Sequence, residues 1–245
     1  MNRAYWLGES GLTEGSLDGF FPFLNEKGHV IALVGAGGKT TLMYELARLF
    51  CDRGWRTAVT TTTRILPPAH CPTCHTMEAC RARWDRGEYA VWARELDGEK
   101  LGALEAEDFA LLRKTADQLL VEADGARRMA CKVPAAHEPV IPAGADTVIG
   151  VAGLDALGQS IEAACFRPRE TAALLGCDVD HILTAADLAA ILTSEAGTRK
   201  GVGDRAYYAV LNKCDDPERR EQGEQVLRRL GEGAVMTAFA PESRR

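Results

Sequence analysis

Seven consecutive residues, Gly35-Ala36-Gly37-Gly38-Lys39-Thr40-Thr41, have the types and spacing that hold a phosphate group. Glycines let backbone N–H groups converge on an anion without Cβ interference, and a helix starting there adds a favourable dipole. Lys39 would reach the β- and γ-phosphates of a nucleoside triphosphate, and the Thr40 hydroxyl would ligate Mg2+. The usual spacing has a glycine five residues before the Gly-Lys pair; that position is Leu33, so the loop is a shortened form. A Gly-rich turn with an incidental lysine is the structural alternative. Leu119-Leu120-Val121-Glu122-Ala123-Asp124-Gly125 is an apolar run ending in carboxylates. Beside a phosphate loop, either Glu122 or Asp124 would hold Mg2+, directly or through water; otherwise both are solvated loop acids. Asn212-Lys213-Cys214-Asp215 has the form of a guanine-recognition motif. A carboxylate only accepts hydrogen bonds, so Asp215 suits the guanine N1–H and exocyclic amine, with Lys213 packed over the base. GTP is therefore favoured over ATP as the ligand.

A second group surrounds the acidic run. Arg127, Arg128 and Lys132 follow it, and His137-Glu138 lie between prolines that stiffen the loop. These cations would grip a γ-phosphate or a second, anionic ligand, and His137 would serve as acid, base or ligand near neutral pH. A solvated loop is the bland alternative. The hydroxyls of Thr60-Thr61-Thr62-Thr63 would reach Mg2+ or phosphate, although β-propensity alone also explains a threonine run. Cys71-Pro72-Thr73-Cys74-His75, with His70 before and Cys80 after, has the spacing of half a zinc site. It also matches a haem-attachment pattern, which needs export. No second pair of that spacing occurs, so zinc at Cys71, Cys74 and Cys80 competes with incidental thiols in a loop.

These residues need a scaffold, and the hydrophobic pattern supplies one. Residues 30–34 form a continuous apolar run that reads as a strand buried on both faces. Leu42, Leu46, Leu49 and Phe50 then mark one face of a helix ending near Gly54. Strands are expected over 57–63, 89–93, 119–121, 147–151, 181–183, 207–211 and 235–239. Phe109, Leu112 and Ala116 mark a helix. Thr184 caps another, with Asp187 three residues on and Leu188, Ile191 and Leu192 on its buried side. Asp216-Pro217 opens the last helix and Gly231 closes it. Strands alternating with helices imply parallel pairing and right-handed crossovers. The expected fold is α/β: three layers, a mostly parallel central sheet flanked by helices, P-loop NTPase-like in its phosphate loop. One domain over residues 1–245 is expected, with residues 1–28 as an N-terminal lead-in.

Of the 245 residues, 46% are hydrophobic and 26% charged, ordinary for a globular protein rather than a disordered one. Twenty-nine basic and 35 acidic residues give a formal charge of −6, which favours neither nucleic acid nor an anionic membrane as partner. No apolar run approaches a bilayer span, and residues 1–19 lack a signal-peptide core. A cytoplasmic location is expected, where the eight cysteines stay reduced.

The chain resembles the YqeC family, accessory proteins of selenium-dependent molybdenum hydroxylases. The likeness covers about residues 29–215. It rests on the phosphate loop, the threonine run and Glu122-Ala123-Asp124-Gly125. It continues through Lys132-Val133-Pro134-Ala135-Ala136-His137-Glu138-Pro139-Val140-Ile141-Pro142, Gly153-Leu154-Asp155-Ala156-Leu157-Gly158 and Leu211-Asn212-Lys213-Cys214-Asp215. Where the family pattern has His-Arg-Pro-Glu, this chain has Phe166-Arg167-Pro168-Arg169-Glu170. The resemblance implies a P-loop protein in maturation of a selenium-containing molybdenum cofactor. It brings in Arg167, a molybdenum-cofactor-related anion and other maturation proteins as partners. Glu122-Ala123-Asp124-Gly125 is also similar to the Glu-x-x-Gly of nickel-insertion GTPases. Three functions follow: a slow Mg-dependent GTP or ATP hydrolase, an ATP-dependent ligase or small-molecule kinase, and a nucleotide-gated scaffold without turnover. The ligase reading rests on a loop similar to that of Mur-type ligases, whose acceptor domains would not fit in this length.

Overall fold

Within the segment expected as an N-terminal lead-in, two short strands join one edge of the central sheet. A computed structural model describes residues 3–9, 11–65, 67, 71–96 and 100–239. In chain order the early elements are β1 (Arg3–Gly8), β2 (Gly11–Gly15) and the single turn α1 (Leu17–Phe20). Then come β3 (Val30–Gly35), α2 (Lys39–Asp52), β4 (Thr57–Thr61), β5 (Thr73–Cys74), α3 (Met77–Trp84) and β6 (Ala90–Trp92). A small hairpin, β7 (Arg94–Leu96) and β8 (Lys100–Gly102), precedes α4 (Ala106–Thr115) and β9 (Gln118–Glu122). The second half holds β10 (Cys131–Lys132), β11 (Thr147–Gly153), α5 (Ile161–Ala164), β12 (Cys165–Phe166), α6 (Pro168–Leu175) and α7 (Ala185–Thr193). It closes with β13 (Ala206–Asn212), α8 (Pro217–Leu230) and β14 (Ala234–Ala238).

Ten strands form one sheet in the order β2-β1-β14-β13-β11-β3-β9-β4-β6-β5. Every pairing from β14 to β5 is parallel; only β1 and β2 run antiparallel at one edge. The two sides of β3 are buried differently. Ile31 and Leu33 pack with Leu42, Leu46 and Phe50 of α2, and Phe21 and Leu24 join that cluster. Val30, Ala32 and Val34 face the opposite cluster, with Met77 of α3 and Leu112 of α4. Farther along the same face, Ala152, Leu211 and Met236 pack with α7 and α8. The architecture is a large, mostly parallel sheet with helices on both faces, as the alternating pattern predicted. Among the described residues no helix is long and apolar enough to cross a membrane.

The differences from the sequence reading are local. β4 stops at Thr61 because its hydroxyl accepts a bond from the Thr63 amide (3.0 Å), turning the chain out of the sheet. Residues 181–183 make one isolated bridge, Ser160 to Ile182, rather than a sheet strand. Ile182 is exposed there, so burial does not hold the segment in the sheet. The caps behave as predicted: Thr184 and Asp187 form a capping box, and the Asp216 carboxylate accepts from the Arg219 amide (2.9 Å).

Candidate functional site

The phosphate-type loop leaves the carboxyl end of β3 beside β11, where connections depart in opposite directions along the sheet. Ligands of open α/β sheets bind at such points. Gly35, Gly37 and Gly38 all have positive φ, 95°, 77° and 122°. At Gly37 a Cβ would also collide with the backbone nitrogen of Gly153. Gly28, with φ 99°, has open space around its missing Cβ. Gly37→Ala should therefore cost about 3 kcal/mol, with strain and overpacking combined, against about 1 kcal/mol for Gly28→Ala. Equal losses in denaturant unfolding would show that the close approach to Gly153 does not matter.

Inside the loop, the Ala36 amide is taken by the Val151 carbonyl and the Gly37 amide by that of Met129, each at 2.9 Å. The first turn of α2 is left open. Its early N–H groups have no intrahelical partner, and no side chain caps the helix. Thr40 and Thr41 are exposed there.

The two carboxylates after β9 have separate surroundings. Glu122 is buried, with Oε2 accepting from the Thr40 hydroxyl at 3.1 Å and Oε1 lying 3.8 Å from Lys39 Nζ. Burial pushes its carboxyl above the usual range, against the pull of Lys39 and the Thr40 hydroxyl. Asp124 is a clasp. Its Oδ2 accepts from the Gly35 amide (3.1 Å) and lies 3.0 Å from Lys132 Nζ, while Oδ1 lies 3.0 Å from Lys39 Nζ. Lys39 itself is buried and donates to the Gly35 carbonyl at 2.5 Å.

From Asp124 the charges alternate outward. Lys132, whose side chain is 0% exposed, also pairs with Glu138 Oε2 at 2.8 Å and donates to the Gly125 carbonyl at 2.6 Å. Arg167 Nε donates to the same Glu138 oxygen at 3.2 Å. Burial would raise the Glu138 carboxyl, yet the bonds and charges of Lys132 and Arg167 hold it below its ordinary value. The Phe166 ring lies under three cations: Arg167 at 4.9 Å, Arg127 at 5.4 Å and Lys132 at 5.5 Å from its centroid. His137 is exposed and makes no hydrogen bond or ion pair among the described residues. Arg127, Arg128, Arg167 and Lys213 are the four described non-glycine residues with positive φ, and all are basic. Such strain persists only where the surroundings impose it, commonly at functional sites.

Asn212 is buried against the loop. Its Nδ2 donates to the Gly37 carbonyl (3.0 Å), and its Oδ1 accepts from the Lys213 amide (2.8 Å) and the Thr237 hydroxyl (3.1 Å). Lys213 pairs with Asp155 at 2.5 Å, and Asp215 is half-exposed, 4.0 Å from Arg219. Asn212 thus braces the glycine loop, while the Asp215 carboxylate stays half-exposed. Asp155 and Thr237 were not singled out from sequence. Asp155 lies in the Gly153–Gly158 segment of the resemblance; Thr237 carries no local signal.

The cysteines do not converge as a zinc site would require. The Cys71 thiol faces the carbonyls of Pro72 (3.7 Å) and Tyr89 (4.0 Å). Cys74 and Cys80 pair with each other, and the bond from Cys80 draws the Cys74 thiol down to about 7. Among the described residues no three His, Cys, Asp or Glu side chains are grouped to hold a metal ion. His70 lies outside the described residues.

A family model described as YqeC protein matches residues 31–169. The uncharacterized protein YqeC of Escherichia coli (strain K12) is 33% identical over 208 residues, covering 76% of this chain and 78% of its own length. No solved structure matches the chain.

Proposed function

The chain belongs to the YqeC family, and from that premise we propose that it is a Mg-dependent, GTP-preferring nucleoside triphosphate-binding protein of P-loop type. It hydrolyses the nucleotide slowly and acts in maturation of a selenium-dependent molybdenum hydroxylase or its cofactor. The maturation role rests on the family resemblance. The nucleotide role rests on one arrangement: an uncapped helix start behind three positive-φ glycines, with Lys39 and the Thr40–Glu122 pair at its base.

The Thr40 hydroxyl and the Glu122 carboxylate are hard oxygen donors side by side, which fits Mg2+. They are the residues that would hold it, and the ion would neutralise developing phosphate charge there. Asp124 fits that role less well, since Gly35, Lys39 and Lys132 already occupy its carboxylate. Its part is to hold Lys39 against the loop until a phosphate competes for the ammonium. The N–H groups at the start of α2 receive the phosphate oxygens. Arg127 and Arg167, over the Phe166 ring, present further cations beside the loop. Asp215 reads the base from the rim, while Asn212 braces the loop from behind.

Equilibrium binding of fluorescent GTP and ATP analogues with Mg2+ tests this reading. GTP should compete better than ATP, and Lys39→Ala should weaken both by on the order of tenfold or more. Asp215→Asn should shift preference toward xanthosine triphosphate, whose base presents the complementary acceptor. An ATP preference indifferent to Asp215→Asn would remove the guanine assignment and favour the kinase or ligase reading. No binding of either nucleotide would remove the P-loop reading altogether.

A further inference from the structure

Beside β9 the sheet is covered unusually. The crossover from β9 to β11, residues 123–146, contains the two-residue β10 and no helix. On that face α4 therefore has an extended strap as its neighbour. A cleft of about 680 Å3 remains between α4 and strap residues 142–144, reaching Thr61 at the end of β4 and Thr62 just after it. That volume lies within the range of small-molecule sites.

Helix α4 turns two faces to different surroundings. Leu112 packs on the sheet, while Ala106, Phe109, Ala110 and Arg113, at i, i+3, i+4 and i+7, line the cleft. Small residues keep the space open; at Gly144 a Cβ would land on the Arg113 guanidinium. Leu104, Phe109 and Pro142 supply apolar walls, and the ionisable residues of the lining are Arg113 and Lys114. Neither cation has an acidic partner among the described residues. Cations in a last helical turn offset the helix dipole in any case. Here they also border a concave apolar space.

We propose that this cleft is a binding site for an organic anion with an aromatic or similarly apolar body, its acidic group held by Arg113 and Lys114. The site adjoins the candidate phosphate site through shared backbone. Thr61 donates to the Glu122 carbonyl (2.9 Å), Thr62 to the Val140 carbonyl (2.7 Å), and the Val140 amide to the Ala123 carbonyl (2.9 Å). The strap that walls the cleft also carries Glu138.

Titration of the full chain with anilinonaphthalene sulfonate, an aromatic body bearing one anion, tests the site without nucleotide. Saturable binding is expected, weakened at least about tenfold by Ala110→Trp, which fills the cleft. Arg113→Gln should weaken the sulfonate by about tenfold, the effect of one charge-assisted contact. It should leave the neutral analogue N-phenylnaphthylamine unchanged. Lys39→Ala should bind the probe as wild type does, so failure of the nucleotide reading leaves this one standing. Non-saturable binding by the wild type, wild-type affinity in both cleft variants, or loss of binding in Lys39→Ala would each overturn the proposal. Should Ala110→Trp fail to fold, the two probes on Arg113→Gln decide it alone.

Discussion

Lys132→Met should unfold about 3–5 kcal/mol more easily than the wild type, the cost of breaking a buried ion pair from one side. Lys132 is the buried cation between Asp124 and Glu138, at 3.0 and 2.8 Å, and it also satisfies the Gly125 carbonyl. Methionine fills the volume but leaves two carboxylates close together without a cation between them. The loss should depend on pH in one direction. The wild-type Glu138 carboxyl is held below its ordinary value of 4.5. Its stabilising effect is therefore present above that pH and fades as pH falls through the folded-state value. The deficit of the variant should be largest at neutral pH and shrink in acid. Urea unfolding of both proteins at pH 7 and pH 4 is the measurement. A loss under about 1 kcal/mol at pH 7 would mean that water or rearrangement replaces Lys132. Because Asp124 also holds Gly35 and Lys39, the same variant should loosen the phosphate loop.

Glu122→Gln should have the opposite sign for stability and a severe effect on function. Burial raises the Glu122 carboxyl above its ordinary value, so ionising it works against the fold. Wild-type stability from this group is present below the unfolded value and is lost as pH rises through the folded one. The amide does not titrate and still accepts from the Thr40 hydroxyl. Lys39 keeps the Gly35 carbonyl and Asp124 as partners. The variant should therefore melt higher than the wild type at pH 8, with the difference closing toward pH 4. On the proposed reading, Mg-dependent nucleotide hydrolysis should meanwhile fall by on the order of a hundredfold, because the anionic ligand that would hold the ion is gone. Nucleotide affinity in the variant should no longer respond to Mg2+ against chelator. Wild-type turnover in Glu122→Gln would move the metal role to another residue and leave Glu122 a buried structural acid.

Much of this molecule is legible in the order of its residues. The run from Val30 to Val34, the glycines after it and the apolar stripe of α2 all act within one or two turns of chain. Strand, loop and helix could therefore be placed without knowing any distant contact. The caps at Thr184 and Asp216 are local in the same way. The role of Asn212 is not: its bond to the Gly37 carbonyl spans 175 positions, so no local spacing shows that this residue braces the loop. Equally, no spacing shows that Asp124 clasps Lys39 and Lys132 while Glu122 meets Thr40. The two acids stand two residues apart, and only the register of β9 between β3 and β4 gives them different neighbours. The antiparallel edge of β1 and β2 is not legible in the sequence because one short, half-polar hairpin carries little periodicity. The α4 cleft left no sequence trace either, since it comes from a crossover that lacks a helix. Local backbone chemistry determined the glycine loop and its strand and helix. Long-range pairing decided which charge meets which, because those free energies arise only when separate segments exclude water together.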